Sequence, residues 1–131
     1  MVLNKKVVLI TGASSGIGEA LAKTLASKYS DVFLVLTSRN ESKLEQVADK
    51  CRENGAEVTV ICSNLSQVEQ AKSLAEQAIS LHGRVDILVN NAGYGQMGPI
   101  ELIPSSAAQE QMAVNFHAPL MLAQELSLIH I

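Results

Sequence analysis

Two cysteines, Cys51 and Cys62, are the whole complement of the 131-residue chain. They are too few for a disulfide framework and have no metal-ligand spacing, so both are expected to be ordinary buried or half-buried thiols. The three histidines likewise match no metal site. His82 reads as a helix-end residue, and His117 has no nearby Ser or Cys partner in the sequence. Charge of one sign is also scarce: a formal net charge of -3 gives no electrostatic reason to expect nucleic acid or an anionic membrane. No apolar run is long enough to span a bilayer, and the run after Lys5 and Lys6 stops at Gly12, too early for a signal peptide. The expectation is a soluble protein of a reducing compartment, cytoplasmic, with neither nucleic acid nor membrane as partner.

The apolar residues, 47% of the chain, are enough for one real core. Short apolar runs alternate with longer amphipathic ones, which argues for βαβ units and a parallel sheet. Val7 to Ile10 is a continuous apolar run, as expected of a strand covered on both faces. Ile17, Ala20, Leu21, Leu25 and Lys28 follow at helical spacing up to Tyr29. Val32 to Leu36 reads as a second strand, and Leu44, Val47, Ala48 and Cys51 stripe a helix that Asn54-Gly55 terminates. Val58 to Cys62 is a third strand. Val68, Ala71, Leu74, Ala75, Ala78 and Ile79 mark a third helix closed by His82-Gly83. Val85 to Val89 is a fourth strand, and a loop from Gly93 to Pro104 leads to a last helix starting near Ser105 or Ser106. The fold class is α/β, a doubly wound parallel sheet of Rossmann type that ends after the fourth strand and its following helix. The strand order is expected to be 3-2-1-4. Ligands of such sheets sit beyond the carboxyl ends of the strands, where the order reverses.

The chemistry-bearing residues do lie just after strands. Thr11-Gly12-Ala13-Ser14-Ser15-Gly16-Ile17-Gly18 joins the first strand to the first helix. Gly12 suits a sharp turn, Gly16 a close backbone approach to a pyrophosphate, and Gly18 the packing of helix on strand. The free N–H groups and positive dipole end of the helix then face the phosphates. This is not the phosphate loop of nucleotide hydrolases, because no Lys-Ser or Lys-Thr follows the last glycine. At the end of the second strand, Ser38-Arg39-Asn40 stands where a carboxylate would select NAD by binding ribose hydroxyls. Ser38 can donate to a 2′-phosphate and Arg39 can pair with it, so NADP (as NADPH) is the expected cofactor.

The fourth strand runs into Asn90-Asn91-Ala92-Gly93. The glycine turn and this second motif, each at a strand end, resemble the short-chain dehydrogenase/reductase family in its single-domain, NADP-preferring branch. The resemblance covers Lys5 to about Glu125, its N-terminal half. It implies that Gly12, Ser14, Ser15, Gly16, Ile17 and Gly18 cradle the pyrophosphate and its flanking riboses. Asn90 would hold backbone in the central sheet, while Asn91, Ala92 and Gly93 line the cofactor ribose. After the third strand the family carries Asp and a small apolar residue at the adenine, where this chain has Asn64-Leu65; an Asn carbonyl can still accept from the adenine amino group. Asn115 resembles the family's helix Asn, which shapes a local helix distortion and, through water, positions the catalytic Lys. Ala118 departs from a frequent Gly.

The family's reaction needs a Ser, a Tyr and a Lys four residues after the Tyr, the Lys and the cofactor lowering the Tyr pKa. The tyrosines here are Tyr29 and Tyr94, followed four residues on by Phe33 and Gly98, and no Lys occurs after Lys72. The expected function is therefore that of an NADP-dependent oxidoreductase acting on a carbonyl or secondary alcohol, present as a catalytically incomplete piece of a parent expected to be a homo-oligomer. Tyr94, Gly95, Gln96 and Met97 are candidates for the floor of a substrate pocket. A non-catalytic NADP-binding or sensor module is the alternative. Residues 1-125 read as the N-terminal part of one cofactor-binding domain. The tail 126-131 can be encoded by CTG TCT CTT ATA CAC ATC, the start of a transposase adapter of sequencing libraries, and is expected to be non-native.

Overall fold

A computed structural model describes residues 5–29 and 31–130. Its strands are β1 (Val7–Thr11), β2 (Phe33–Ser38), β3 (Glu57–Cys62) and β4 (Ile87–Val89), and its helices are α1 (Gly16–Lys28), α2 (Glu41–Glu53), α3 (Val68–His82), α4 (Ser105–Met112) and α5 (Ala118–Ile129). All strand pairs are parallel and the order is β3-β2-β1-β4, as the sequence implied. The reversal of order therefore falls between β1 and β4, which opens a crevice above their carboxyl ends.

Each face of the sheet carries its own apolar layer, which is why the strand sequences are apolar without alternation. Val8 and Ile10 of β1 with Leu34 and Leu36 of β2 pack against Ala22 and Ala26 of α1 and Leu44, Val47, Ala48 and Cys51 of α2. On the other face, Val7, Leu9, Val35 and Ile61 meet Ala71, Leu74, Ala75 and Ala78 of α3 and Ala118, Leu122 and Leu126 of α5. The chain is thus wound in both directions around one sheet.

The boundaries differ from the sequence reading in physical ways. β4 is shorter than Val85 to Val89 because its pairing with β1 begins at Val8↔Ile87; Asp86 instead receives its own contacts before the ladder starts. The fully buried residues of α1 are Gly18, Ala22 and Ala26, small residues that let the helix sit close to the sheet, while Leu21 and Leu25 of the expected stripe are half-buried against the same layer and Ile17 is not part of it. Ile17 is 80% exposed. Cys62 is exposed, not half-buried, because β3 is an edge strand. Burial pushes the Cys51 thiol up, against the pull of Lys23 and Arg52, and keeps it inert. The last helix is two helices, α4 and α5, joined by a π turn over Ala113–His117. α5 runs unbroken from Ala118 past Glu125 to Ile129, with Leu126 buried on α3; Ile131 lies outside the described residues.

Candidate functional site

The glycine turn owes its shape to three different demands. Gly12 has φ +65, and a Cβ there would stand 3.0 Å from Ala92 Cα and from Asn91 Nδ2. Gly18 is helical, but a Cβ would reach 2.4 Å from the Gly12 carbonyl oxygen and 2.5 Å from Asn91 Nδ2. Gly16 has φ +56 and nothing within 4 Å of where a Cβ would be, so the turn at that point faces open space. Ser15 is the N-cap of α1, yet no side chain caps the helix, and its first N–H groups face outward without a side-chain partner. Uncapped donors, the positive helix end and free space over Gly16 together make a cradle for an anion.

That cradle opens, through Ser14 and Ser15, on a cleft of about 740 Å³ lined by Gly12, Ser14, Ser15, Ser38, Arg39 and Leu65, with Ala92 and Gly93 on the β4 side. Ser38 and Arg39 stand at the carboxyl end of β2, two strands from β4, so the cleft crosses the ends of β2, β1 and β4. The residues present fit a dinucleotide bearing a 2′-phosphate: an anion cradle in the middle, a guanidinium and a hydroxyl at one end, and small residues at the other. Asn40, Glu41, Ser63 and Val114 also line the cleft and were not singled out in the sequence. Ser63 and Asn40 had a usable signal, since each directly follows the end of a strand or caps the next helix.

Gly16, Ile17, Gly18, Asn64, Asn91 and Asn115 do not line the cleft. Asn64 accepts from Ser66 N at 3.1 Å and Ser66 Oγ at 2.7 Å, so its side-chain oxygen is engaged in a local turn before any adenine approaches. Asn91 donates through Nδ2 to the Thr11 and Gly12 carbonyls at 3.1 and 3.2 Å, while its N–H donates to Thr11 Oγ1 at 3.0 Å. It staples the end of β4 to the end of β1, the sheet-holding part that the resemblance assigned to Asn90. Asn90 instead donates to the Pro119 carbonyl at 3.5 Å. The Ala92 N–H joins the staple on Thr11 Oγ1 at 2.9 Å.

Asn115 sits inside the π turn, and both ends of its amide hold Tyr94: Oδ1 accepts from the Tyr94 N–H at 3.0 Å and Nδ2 donates to the Tyr94 carbonyl at 2.7 Å. Its oxygen also stands 3.1 Å from where a Cβ on Gly93 would be, so a side chain there would push on the Asn115 amide. The loop after β4 is therefore pinned to the helix across the cleft mouth. Of the four candidates for a substrate floor, Tyr94 lines the cleft; Gly95, Gln96 and Met97 are exposed outside it. Below the sheet's other end, the Arg84 Nε donates to Asp86 Oδ1 and Oδ2 at 2.8 and 3.0 Å, and Asp86 Oδ2 accepts from the Val7 N–H at 2.8 Å. Burial alone would push the Asp86 carboxyl up, but Arg84, the Val7 N–H and Lys6 together hold it below the usual carboxylate range. This acid belongs to the base of the sheet, not to the site. Among the described residues, no His, Cys, Asp and Glu cluster could hold a metal ion, and no helix is long and apolar enough to cross a membrane.

Comparison with known proteins bears on this geometry directly. A family model described as short chain dehydrogenase matches residues 6–129. The chain is 40% identical over 113 residues to 11-beta-hydroxysteroid dehydrogenase A of Sesamum indicum, covering 85% of this chain and 32% of that one. It is 33% identical over 127 residues to sepiapterin reductase of Chlorobaculum tepidum, covering 93% and 52%. Among solved structures, a metagenomic short-chain oxidoreductase in complex with NADP superposes with a TM-score of 0.90 at 34% identity, over 97% of this chain and 57% of that one. L-sorbose reductase of Gluconobacter frateurii, complexed with NADPH and L-sorbose, gives a TM-score of 0.90 at 31% identity, over 98% and 48%. The chain spans between a third and somewhat more than half of the length of these relatives.

Proposed function

The chain belongs to the short-chain dehydrogenase family, and on that premise we propose that it forms the cofactor-binding part of an NADP-dependent oxidoreductase. The observation that carries this reading is the cleft itself: an uncapped helix end over an open glycine turn, with Ser38 and Arg39 lining the same space. The NADP and NADPH complexes of the metagenomic oxidoreductase and L-sorbose reductase support the choice of cofactor.

In this reading the turn at Gly12, Ser14 and Ser15 holds the pyrophosphate, the two serines donating from their hydroxyls, while Gly16, Ile17 and Gly18 form the first turn of the helix whose positive end favours it. Ser38 and Arg39 take the 2′-phosphate, and Leu65 presents an apolar wall to the adenine. Asn64 shapes the turn that places Leu65, its carbonyl being engaged by Ser66. Ala92 and Gly93 border the cofactor ribose, and Asn91 keeps β4 and β1 in register beneath it. The bound cofactor supplies a hydride to, or takes one from, a carbonyl or secondary alcohol carbon. Asn115 is a positioning residue: its side chain is committed to Tyr94, which leaves the opened main chain of the π turn to orient an acid/base group. No Tyr with a Lys four residues on exists in these 131 residues, so the chain alone binds cofactor without turning over substrate. The parent protein is a cytoplasmic homo-oligomer in this proposal.

Arg39→Ala tests the reading. Loss of one charge-assisted partner, worth roughly 1.5–3 kcal/mol, weakens NADPH by about ten- to a hundredfold and leaves NADH nearly unchanged. Calorimetric titration of both cofactors reads this without any need for activity. Equal weakening of both, or none, overturns the assignment of Arg39.

A further inference from the structure

Arg39 does not face the cleft alone. Its Nη1 lies 3.9 Å from Glu110 Oε1, the one ion pair of this guanidinium among the described residues, with side chains 67% and 47% exposed. Glu110 is on α4, ahead of the π turn that holds Asn115, whereas Arg39 follows β2. The pair thus bridges the two walls of the site. Glu110 also borders a second depression of about 560 Å³ with Asn64, Ser66, Ser106 and Gln109, which adjoins the main cleft through Asn64–Leu65 and Ala113–Val114. A carboxylate is therefore stationed beside the guanidinium that the proposed function gives to a 2′-phosphate.

We propose that Glu110 is a specificity-determining residue: it competes with the 2′-phosphate for Arg39 and so sets how strongly the site prefers NADP over NAD. The inference rests on the cofactor reading above and concerns the strength of that preference. Two anions cannot share one guanidinium at full benefit, so the phosphate must displace Glu110 or accept its repulsion. Either way the carboxylate penalises the ligand that carries the phosphate and spares the one that lacks it. Both side chains are well solvated, so the penalty is modest and sensitive to salt. Glu41 also lines the cleft, but it opens α2 and makes no ion pair with Arg39, so it repels a 2′-phosphate without taking Arg39 from it, a contribution that is the same in wild type and in Glu110 variants.

The experiment titrates 2′,5′-ADP (adenosine 2′,5′-bisphosphate) and 5′-AMP, which differ by the 2′-phosphate, into the 131-residue chain and into Glu110→Gln and Glu110→Lys. Wild type binds 2′,5′-ADP the more tightly. Glu110→Gln tightens 2′,5′-ADP by about two- to fivefold and leaves 5′-AMP unchanged, a size typical of one solvated charge. Glu110→Lys tightens it further, and both gains shrink in about 0.5 M salt, where the Debye length falls to roughly 4 Å. A purely structural role for Glu110 would shift both probes together and would not follow the sign of the charge; that result, or an unchanged ratio, overturns the inference while leaving the cofactor reading intact. Failure of wild type to bind either probe overturns the cofactor reading, and the inference with it.

Discussion

Thr11 and Thr37 are register partners across β1 and β2, both buried, yet their hydroxyls have opposite fates. Thr11 Oγ1 accepts from the N–H groups of Asn91 and Ala92 and donates to the Val89 carbonyl. Thr37 Oγ1 has no partner among the described residues. A buried polar group left unpaired costs about 1–3 kcal/mol, whereas removing one side of a made bond leaves the other side orphaned. Thr37→Val is therefore expected to raise the free energy of unfolding, and Thr11→Val to lower it by about 1–3 kcal/mol, as read from denaturant titrations. A loss of stability in Thr37→Val would show that its hydroxyl is satisfied in solution. The same scale explains what the sequence hid. The glycines and Arg39 were legible because their backbone freedom and charge are intrinsic to the residue type. The division of labour between Asn90 and Asn91 was not, because both can donate and only the three-dimensional approach of β4 to Thr11 and Gly12 decides which one does. The engagement of Asn64 was hidden for the same reason: Ser66, which donates to its side-chain oxygen, is a local turn partner whose geometry is set only in the fold.

At the scale of elements, the strands were readable because burial on both faces makes them continuously apolar, and the helices because Asn54-Gly55 and Gly83 stop them with left-handed glycines. The break between α4 and α5 was named only through resemblance, although Pro119, which has no N–H to offer the carbonyl of Asn115, is a local signal for it. The partner of Asn115 is the Tyr94 backbone, 21 residues away in sequence. Asn115→Ala should therefore act on the loop rather than on the core. Hydrogen exchange at the Tyr94 amide is expected to quicken, while amides of β1 and β2 keep their protection. Unchanged exchange at Tyr94 would mean the loop is held by other contacts. The base of the sheet offers a pH-dependent counterpart. Asp86 ionises more readily in the folded protein than in the unfolded chain, where an Asp has a pKa of about 3.9. Its contribution is present in full above that value and is lost as pH falls through the lower folded-state value. Wild type should lose more stability than Asp86→Asn on acidification below about pH 4, when unfolding is followed by circular dichroism at each pH.

For the molecule as a whole, the two sides of the sheet are unequally finished. β3 closes one edge with an exposed Glu57 at its start, and α2 covers its inner face. β4 forms the other edge, where Ile87, Leu88 and Val89 are half-buried and pair only with β1 among the described strands. On the same side Met112, Phe116 and Leu120 of α4, the π turn and α5 are 51%, 53% and 44% exposed. An apolar edge beside an apolar helical surface is a template for another chain, by strand pairing or by face-to-face burial. The 131-residue chain is accordingly expected to self-associate at micromolar concentration, and size-exclusion chromatography with light scattering measures it directly. Phe116→Glu and Leu120→Lys separate the two routes, because they charge the helical surface without touching β4. If the helical face drives association, either substitution returns a monomer; if the β4 edge drives it, the assembly persists and a Pro at Leu88, which removes a ladder donor, is the substitution that disperses it. A wild-type chain that stays monomeric across that range would show that neither surface is adhesive, and that the fold of β1 to α5 is self-sufficient in solution.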